Sequence, residues 1–351
     1  MQPLYKLELF DRQMNFRSMA VIESPTIYFD YLTLEGNQII SPVIIPAKKG
    51  DIAHITDGSG TIIYQGIVSD IQRDKTVALS LLPLLSLFDL TVSYDRTDLQ
   101  TGALEDFIAG IITDLYITSP DTLQRIPMTA QATSSTINTA LNIKSNVHEL
   151  YDIITKAFTM YGVRVSAEFL PQTKTIAVTI GKVEDTVTVT VLEAHLDNVL
   201  EKSIVIGDRY GQINKITLIN KYDEGERIIY YLHPDGGIDT IDTNRIVPIF
   251  PATEYVESED FPADALARAR ESLSLQKYDN LIELTYHKDD RIVSLEALEI
   301  GNQVQVIDDD NIYDTILTGY GRTGQTVKLI LGNVRVDLTK KLILERRKGI
   351  A

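Results

Sequence analysis

The chain contains no cysteine, which removes disulfides, thiolate nucleophiles and cysteine-ligated metals and leaves the redox compartment open. It also has no long apolar run. The longest, Val77 to Leu90, is broken by Ser80, Pro83 and Ser86 and falls short of the ~20 residues a membrane-spanning helix needs, so no membrane span is expected. The N-terminal stretch from Met1 to Asp11 alternates like a strand and carries Lys6 and Glu8 where a signal peptide requires unbroken apolar sequence. A soluble chain without an export signal is the expectation. Positive charge is scarce: 33 Lys plus Arg stand against 49 Asp plus Glu, for a net charge of -16. A protein that grips duplex needs clustered cations to displace counterions from phosphates, so specific nucleic-acid binding is disfavoured. An acidic surface still suits DNA that slides past without adhering, since like charges repel over about 8 Å at physiological salt.

Catalytic signatures are equally scarce. The five histidines, His54, His148, His195, His233 and His287, form no H-E-x-x-H pair, and no G-x-S-x-G elbow occurs. Gly319-Tyr-Gly321-Arg-Thr-Gly324 matches the dinucleotide fingerprint G-x-G-x-x-G, but the fingerprint works only between a strand and a helix N-terminus. Here Thr326 to Leu331 alternates as a strand, so the motif reads as a β-turn. Asp308-Asp-Asp-Asn311 lacks the glycine and glutamate of a calcium loop, whose sixth and twelfth positions would be Tyr313 and Gly319; a solvated acidic turn is expected. The seventeen tyrosines form no ladder interleaved with basic residues, so a single-strand binding platform lacks support. No catalytic, cofactor-binding or metal-ligating residue is assigned, and no enzyme activity is expected.

What is present is a globular composition, 44% hydrophobic and 23% charged over 351 residues, long enough for two to four domains of about 100 to 150 residues each. Residues 1 to about 95 read as short strands separated by turns such as Glu35-Gly36-Asn37 and Asp57-Gly58-Ser59-Gly60, the pattern of a barrel or sandwich. From Leu104 the period changes: Leu104, Phe107, Ile108, Ile111, Ile112 and Leu115 line one helical face, with Thr101 as N-cap. Ala130 to Thr136 reads as an extended polar connection. A second helix, capped by Asn146 with Glu149 three residues on, buries Leu150, Ile153, Ile154, Ala157, Phe158 and Tyr161 and stops at Gly162. A hairpin follows, Val163 to Phe169 and Ile176 to Ile180 around Pro171 to Lys174. Strand pattern resumes to Leu232. A third helix starts at Pro262 and runs to about Gln276, with Asp264 and Arg268 spaced for an i, i+4 pair, and strands continue from Leu281 to Leu344.

Two stretches resemble each other at an offset of 249 to 251. Gly50-Asp-Ile-Ala-His-Ile-Thr-Asp57, Tyr64-Gln-Gly-Ile67 and Arg73 to Leu81 match Gly301-Asn-Gln-Val-Gln-Val-Ile-Asp308, Tyr313-Asp-Thr-Ile316 and Arg322 to Leu331. Each reads as a glycine, a strand, an acidic turn, a strand, a polar turn and a strand. The small slips fall in turns, where length changes cost little. The alternative is that any two three-stranded meanders converge on such a pattern. The expected fold class is mainly β with α+β parts: a first β-barrel from 1–96 and 183–204, an inserted α+β domain at 97–182, a second β-barrel from 205–245 and 281–351, and a helical insert at 246–280.

With these features the sequence resembles the hub proteins of phage tail tips and baseplates, including tail-associated proteins of phages and prophages of Gram-positive bacteria. The carriers are the two barrel copies, the insert between them, and the ending Leu298-Glu-Ile-Gly-Asn-Gln-Val-Gln-Val-Ile307 through Leu329-Ile-Leu-Gly-Asn-Val-Arg-Val-Asp-Leu-Thr339. That family closes with an x-Gly-Asp-x-Val strand and an Arg-x-Asp-Leu-Thr-like tail, and Asn302 departs from its usual acidic residue. The resemblance implies a structural protein of the virion tail tip, made in the host cytoplasm. It implies a homotrimer whose six barrels form a pseudo-six-fold ring, touching a hexameric distal tail or tail tube protein and the tape measure protein on one side and receptor-binding or tip proteins on the other. Host attachment and DNA ejection would be its context. Relatives often add a fibre or a peptidoglycan-degrading domain, and neither is expected in a chain that stops at Ala351. A peptidoglycan hydrolase or peptidase component of the tail, or a β-rich adhesin, are the alternatives from other functional classes.

Overall fold

The computed structural model describes residues 4–93, 103–137, 147–184, 186–196, 198–206, 213–234, 237–243, 245–247, 249–257, 260–273, 278–290, 298–308 and 311–335. In chain order the elements are β1 (Tyr5–Phe10), β2 (Phe16–Ile22), β3 (Ile27–Asp30), β4 (Asn37–Ser41), β5 (Ile52–Thr56), β6 (Ile62–Arg73), β7 (Val77–Pro83), β8 (Thr91–Ser93), α1 (Leu104–Tyr116), β9 (Met128–Ala132), β10 (Val147–Glu149), α2 (Leu150–Tyr161), β11 (Val163–Leu170) and β12 (Thr175–Lys182). There follow β13 (Val187–Val191), the one-turn α3 (Glu193–Leu196), β14 (Val199–Ile206), β15 (Lys215–Asn220), β16 (Arg227–Leu232), β17 (Ile238–Asp239), β18 (Pro251–Val256), α4 (Phe261–Leu273), β19 (Asn280–His287), β20 (Gln303–Asp308), β21 (Asn311–Thr323) and β22 (Thr326–Leu331).

The fold is mainly β, built on two similar small barrels. The first sheet has the order β2-β1-β5-β6-β7-β4, and the second β13-β20-β21-β22-β19-β14. In the first, β2 and β4 approach each other and bring the ends of the sheet together. Equating β5, β6, β7, β4 and β2 with β20, β21, β22, β19 and β14 makes the two cyclic orders the same. They differ at two places: β1 runs antiparallel to β5, whereas β13 runs parallel to β20, and the first sheet is paired between β1 and β2 and ends at β2 and β4, whereas the second is paired between β14 and β19 and ends at β13 and β14. Alternation dictates both cores. Leu7, Leu9, Ala53, Ile55, Val68, Val77, Leu79 and Leu81 fill the first, and Val304, Val306, Leu317, Val327, Leu329 and Leu331 the second.

Between the barrels, α1 and α2 pack with the sheet β11-β12-β9 around Ile108, Ile112, Ile154, Phe158, Val165 and Ile180, a core that also takes in Phe10, Met14, Tyr31 and Ile52 beside the first barrel. The second α+β element is a module of its own: the sheet β17-β16-β15-β18 with α4 over one face, around Ile216, Leu218, Phe261, Ala265 and Leu273.

Several expectations need correction. Residues 183–204 supply β13 and β14 to the second sheet, not the first, and β3 leaves the first barrel to pair with β21. Strands at 215–232 belong to the α4 module, not to the second barrel. The physical reason is common to all three: alternation marks a strand but says nothing about its hydrogen-bonding partner. The stretch expected as a polar connection holds β9, a parallel partner of β12; it lies at the sheet edge, where only Met128 is buried, so its pattern is weak. Helix α2 begins one turn later than expected because Val147–Glu149 pairs with β8. Its end at Gly162, with φ 68°, is as expected. The caps Thr101 and Asn146, the end of the third helix at Gln276, Asp309, Asp310 and the tail from residue 336 onward lie outside the described residues.

Candidate assembly surface

The repeat seen in the sequence is a repeat of backbone chemistry. Gly50 and Gly301 both hold positive φ, 87° and 93°, a conformation that costs other residues energy and glycine none. The Gly50 N–H donates to the Val68 carbonyl at 2.8 Å and the Val68 N–H to the Asp51 carbonyl at 2.8 Å; Gly301 and Leu317 repeat this at 2.8 Å, and Leu317 and Asn302 at 2.9 Å. The turn before each glycine is closed in the same way. Asp51 N–H donates to the Lys48 carbonyl while its carboxylate accepts the Lys48 N–H at 2.8 Å. Asn302 N–H donates to the Glu299 carbonyl while its amide oxygen accepts the Glu299 N–H at 2.6 Å. Asn302, the departure from the acidic pattern, therefore performs the same bond with a neutral oxygen. A bulge also recurs, between Val68 and Asp70 in β6 and between Leu317 and Gly319 in β21. Convergence of two meanders on alternating aliphatics would not place the same turn and bulge in both.

The two barrels are tied by β3. It pairs antiparallel with Gly319–Arg322 of β21, so close that a Cβ on Gly319 would lie 2.5 Å from the Phe29 carbonyl oxygen. The glycines of the fingerprint-like motif thus serve strand packing and the β21–β22 turn. Asp30 at the end of β3 is buried and meets Arg335, whose Nε and Nη2 donate to the two carboxylate oxygens at 2.7 Å each. The same guanidinium donates to Thr318 Oγ1 at 2.8 Å and to the carbonyls of Gly332 and Val334 at 2.9 and 2.8 Å. A planar five-donor fork suits such a site where an ammonium would not. Arg335 is the arginine of the tail motif, and this is what it does.

Tyr31 ties the insert to both barrels. Its N–H donates to the Thr318 carbonyl at 2.8 Å, its hydroxyl accepts the Val165 N–H at 2.9 Å, and the Tyr151 hydroxyl donates to its carbonyl at 2.5 Å. Burial pushes its phenol pKa well up. Gln65 of β6 pairs its amide with the backbone of Phe169 as a strand would, at 2.7 and 2.8 Å, and also donates to His54 Nδ1 at 3.0 Å. Arg164 reaches the turn before Gly301, donating to the Ile300 carbonyl at 2.6 Å and to Glu299 at 2.9 Å. Insert and barrels are thereby held as one scaffold, and an open cleft between them is lined by Phe29, Tyr64, Gln65, Arg164, Glu299 and Tyr320.

The described histidine side chains are not brought together. His54 is in the first barrel core wall, with burial lowering its pKa; His195 Nδ1 accepts the Leu192 N–H; His233 meets Asp239 at 3.0 Å in the α4 module; His148 and His287 lie on β10 and β19. Asp308 pairs with Lys202 of β14 at 2.7 Å, so this acidic turn is anchored to the barrel. Among the described residues no group of three or more His, Asp or Glu side chains could hold a metal ion.

The surface is what remains. Met19, Val21 and Ile40 stand outward on β2 and β4, with Val43 and Ile44 beside them, all at least half exposed. Val187, Leu200 and Ile206 do the same around β13 and β14, and Leu192 is nearly half exposed. These are the strands at the sheet ends of each barrel, so both barrels present apolar side chains at their seams, which points to contact with other protein surfaces.

No protein-family model matches the sequence, and no curated protein does. Solved structures match over nearly its whole length. A tail protein from Neisseria meningitidis MC58 is 16% identical, with 94% of this chain and 96% of that chain covered and a TM-score of 0.57. The 43 kDa tail protein of prophage MuSo2 from Shewanella oneidensis is 15% identical, with 94% and 98% covered and a TM-score of 0.55. A chain of the p2 virion baseplate in its activated conformation is 11% identical, with 93% and 98% covered and a TM-score of 0.50. At such identities the shared property is architecture: the chain has the fold of phage and prophage tail and baseplate proteins.

Proposed function

We propose that the chain is a structural hub of a phage or prophage tail tip, a homotrimer whose six barrels form a pseudo-six-fold ring at the end of the tail tube. The observation that carries this is the duplicated barrel, with the same turn, bulge and cyclic strand order in both copies. A three-fold assembly repeats its contacts on a six-fold partner only if each chain offers two equivalent patches, and a duplicated barrel supplies them. The ring would sit against a hexameric distal tail or tube protein and the tape measure protein, and would hold receptor-binding or tip proteins on its other side. The net charge of -16 suits a lumen through which the genome passes without adhering. The role is structural and needs no catalytic residue, cofactor or metal. Light scattering with negative-stain imaging tests it: the expected particle has three times the 39.3 kDa chain mass and shows a ring, and a monomer that persists at high concentration overturns it.

A further inference from the structure

We propose that the α4 module of one copy (β15–β18 with α4) seats on the exposed edge of β6 in the next copy, at the position equivalent to the one β3 occupies on β21 inside one chain. This rests on the trimeric reading above and names its contact surface.

The argument begins with what lies between equivalent strands. In the first barrel β3 sits between β2 and β4 in the sequence and reaches across to the second barrel. The equivalent strands of the second barrel are β14 and β19, and between them lies the α4 module. The two excursions leave their barrels at the same topological place. What β3 covers is the edge of β21 at Gly319–Arg322. An offset of 249 puts Asp70–Arg73 of β6 at the same position. There β7 pairs along one side, β5 reaches only as far as Ile67, and no strand among the described residues covers the rest. An unpaired edge is a ready docking element.

The module has the surface to fill that position. Its core is separate from those of the barrels, and α4 covers only one face of its sheet. Registers place Ile219, Ile229 and Tyr255 on the other face with Tyr231, which is buried beneath Lys215 and Arg245; Tyr255 is exposed there, and so is Tyr222 just past the end of β15. Aromatic anchors of this kind concentrate binding energy at protein interfaces. The contact differs from the internal one in one respect. Gly319 lets the Phe29 carbonyl come within 2.5 Å of the Cβ position, whereas β6 has Asp70 there, ion-paired with Lys49 at 2.8 Å. The module therefore packs side chains across the edge instead of adding a strand at that point.

The absence of native cysteine makes the test clean. A benzophenone label on the full-length Gln72→Cys variant, in an equal mixture of isotopically light and heavy copies, is photolysed and the linked peptides are mapped by mass spectrometry. The expected product joins position 72 of one copy to residues 213–273 of another, and Tyr255→Asp should lower its yield about tenfold. A trimer by light scattering whose position 72 links to other segments, links only within its own copy, or links to nothing overturns this contact while leaving the trimeric reading intact. A persistent monomer overturns both. The mapped peptide does not depend on the Tyr255 variant folding.

Discussion

Replacing Arg335 by Met should loosen the barrels from each other more than it loosens either barrel. The guanidinium fills all its donor positions at 2.7 to 2.9 Å, and the Asp30 side chain is only 2% exposed against 23% for Arg335. Once Arg335 is gone, the carboxylate keeps only the Leu32 N–H at 3.0 Å among its described partners. Breaking a buried pair by deleting one partner costs about 3–5 kcal/mol, because the survivor is a charge without compensation. Deleting both charges costs much less, so Asp30→Leu combined with Arg335→Met should recover most of the loss. In a chain of several cores a single unfolding free energy is ill-defined, so the assay is native-state hydrogen exchange at the amides of β3 and the facing half of β21. At about 1.4 kcal/mol per tenfold, the single variant should lose roughly two to three and a half decades of protection there, while β5, β20 and the α4 module change little. Loss of under one decade, or a double variant as weak as the sum of the singles, would refute the reasoning.

Two further outcomes follow from the duplicated turn and the insert contact. Asp51→Asn should keep the turn, because Asn302 makes the same bond in the other barrel with a neutral oxygen, but should cost about 1–3 kcal/mol by weakening the bond from Arg17 Nε, 2.8 Å from the buried carboxylate; Asp51→Ala should cost about 3–5 kcal/mol by leaving Arg17 and the Lys48 N–H without that partner, both read from hydrogen exchange at the Gly50 and Val68 amides. For His54 burial lowers the folded pKa, so its contribution is complete above the unfolded value of about 6.5 and is lost as pH falls through the folded one. Protonation would also place a donor where Gln65 donates to Nδ1. The urea midpoint of the parent should therefore fall below pH ~6.5 relative to His54→Gln, and parallel pH profiles for the two proteins would count against this.

Much of the fold was legible because short-range periodicity encodes burial. The inward residues of β5–β7 and β20–β22, the buried stripes of α1 and α2, and the glycine that ends α2 are all consequences of local geometry that a sequence displays directly. The repeat belongs to the same class, since turn glycines and alternating aliphatics recur at a constant offset. The absence of cysteine, the acidic balance and the lack of catalytic spacing also needed no structure. Pairing was another matter. That β3 crosses to β21, that β13 and β14 join the second sheet, and that Arg335 finds Asp30 across 305 residues are decided by which edges meet after collapse, and an alternating strand carries no mark of its partner. The same holds for the assembly surface: Met19, Ile40 and Leu200 look like any strand aliphatics until the inner face is full and they are left outside. Sequence by itself determined what each segment would be, because that depends on neighbours three or four residues away; only the tertiary structure decided what each segment would touch, because edges and outward faces are assigned by contacts hundreds of residues apart.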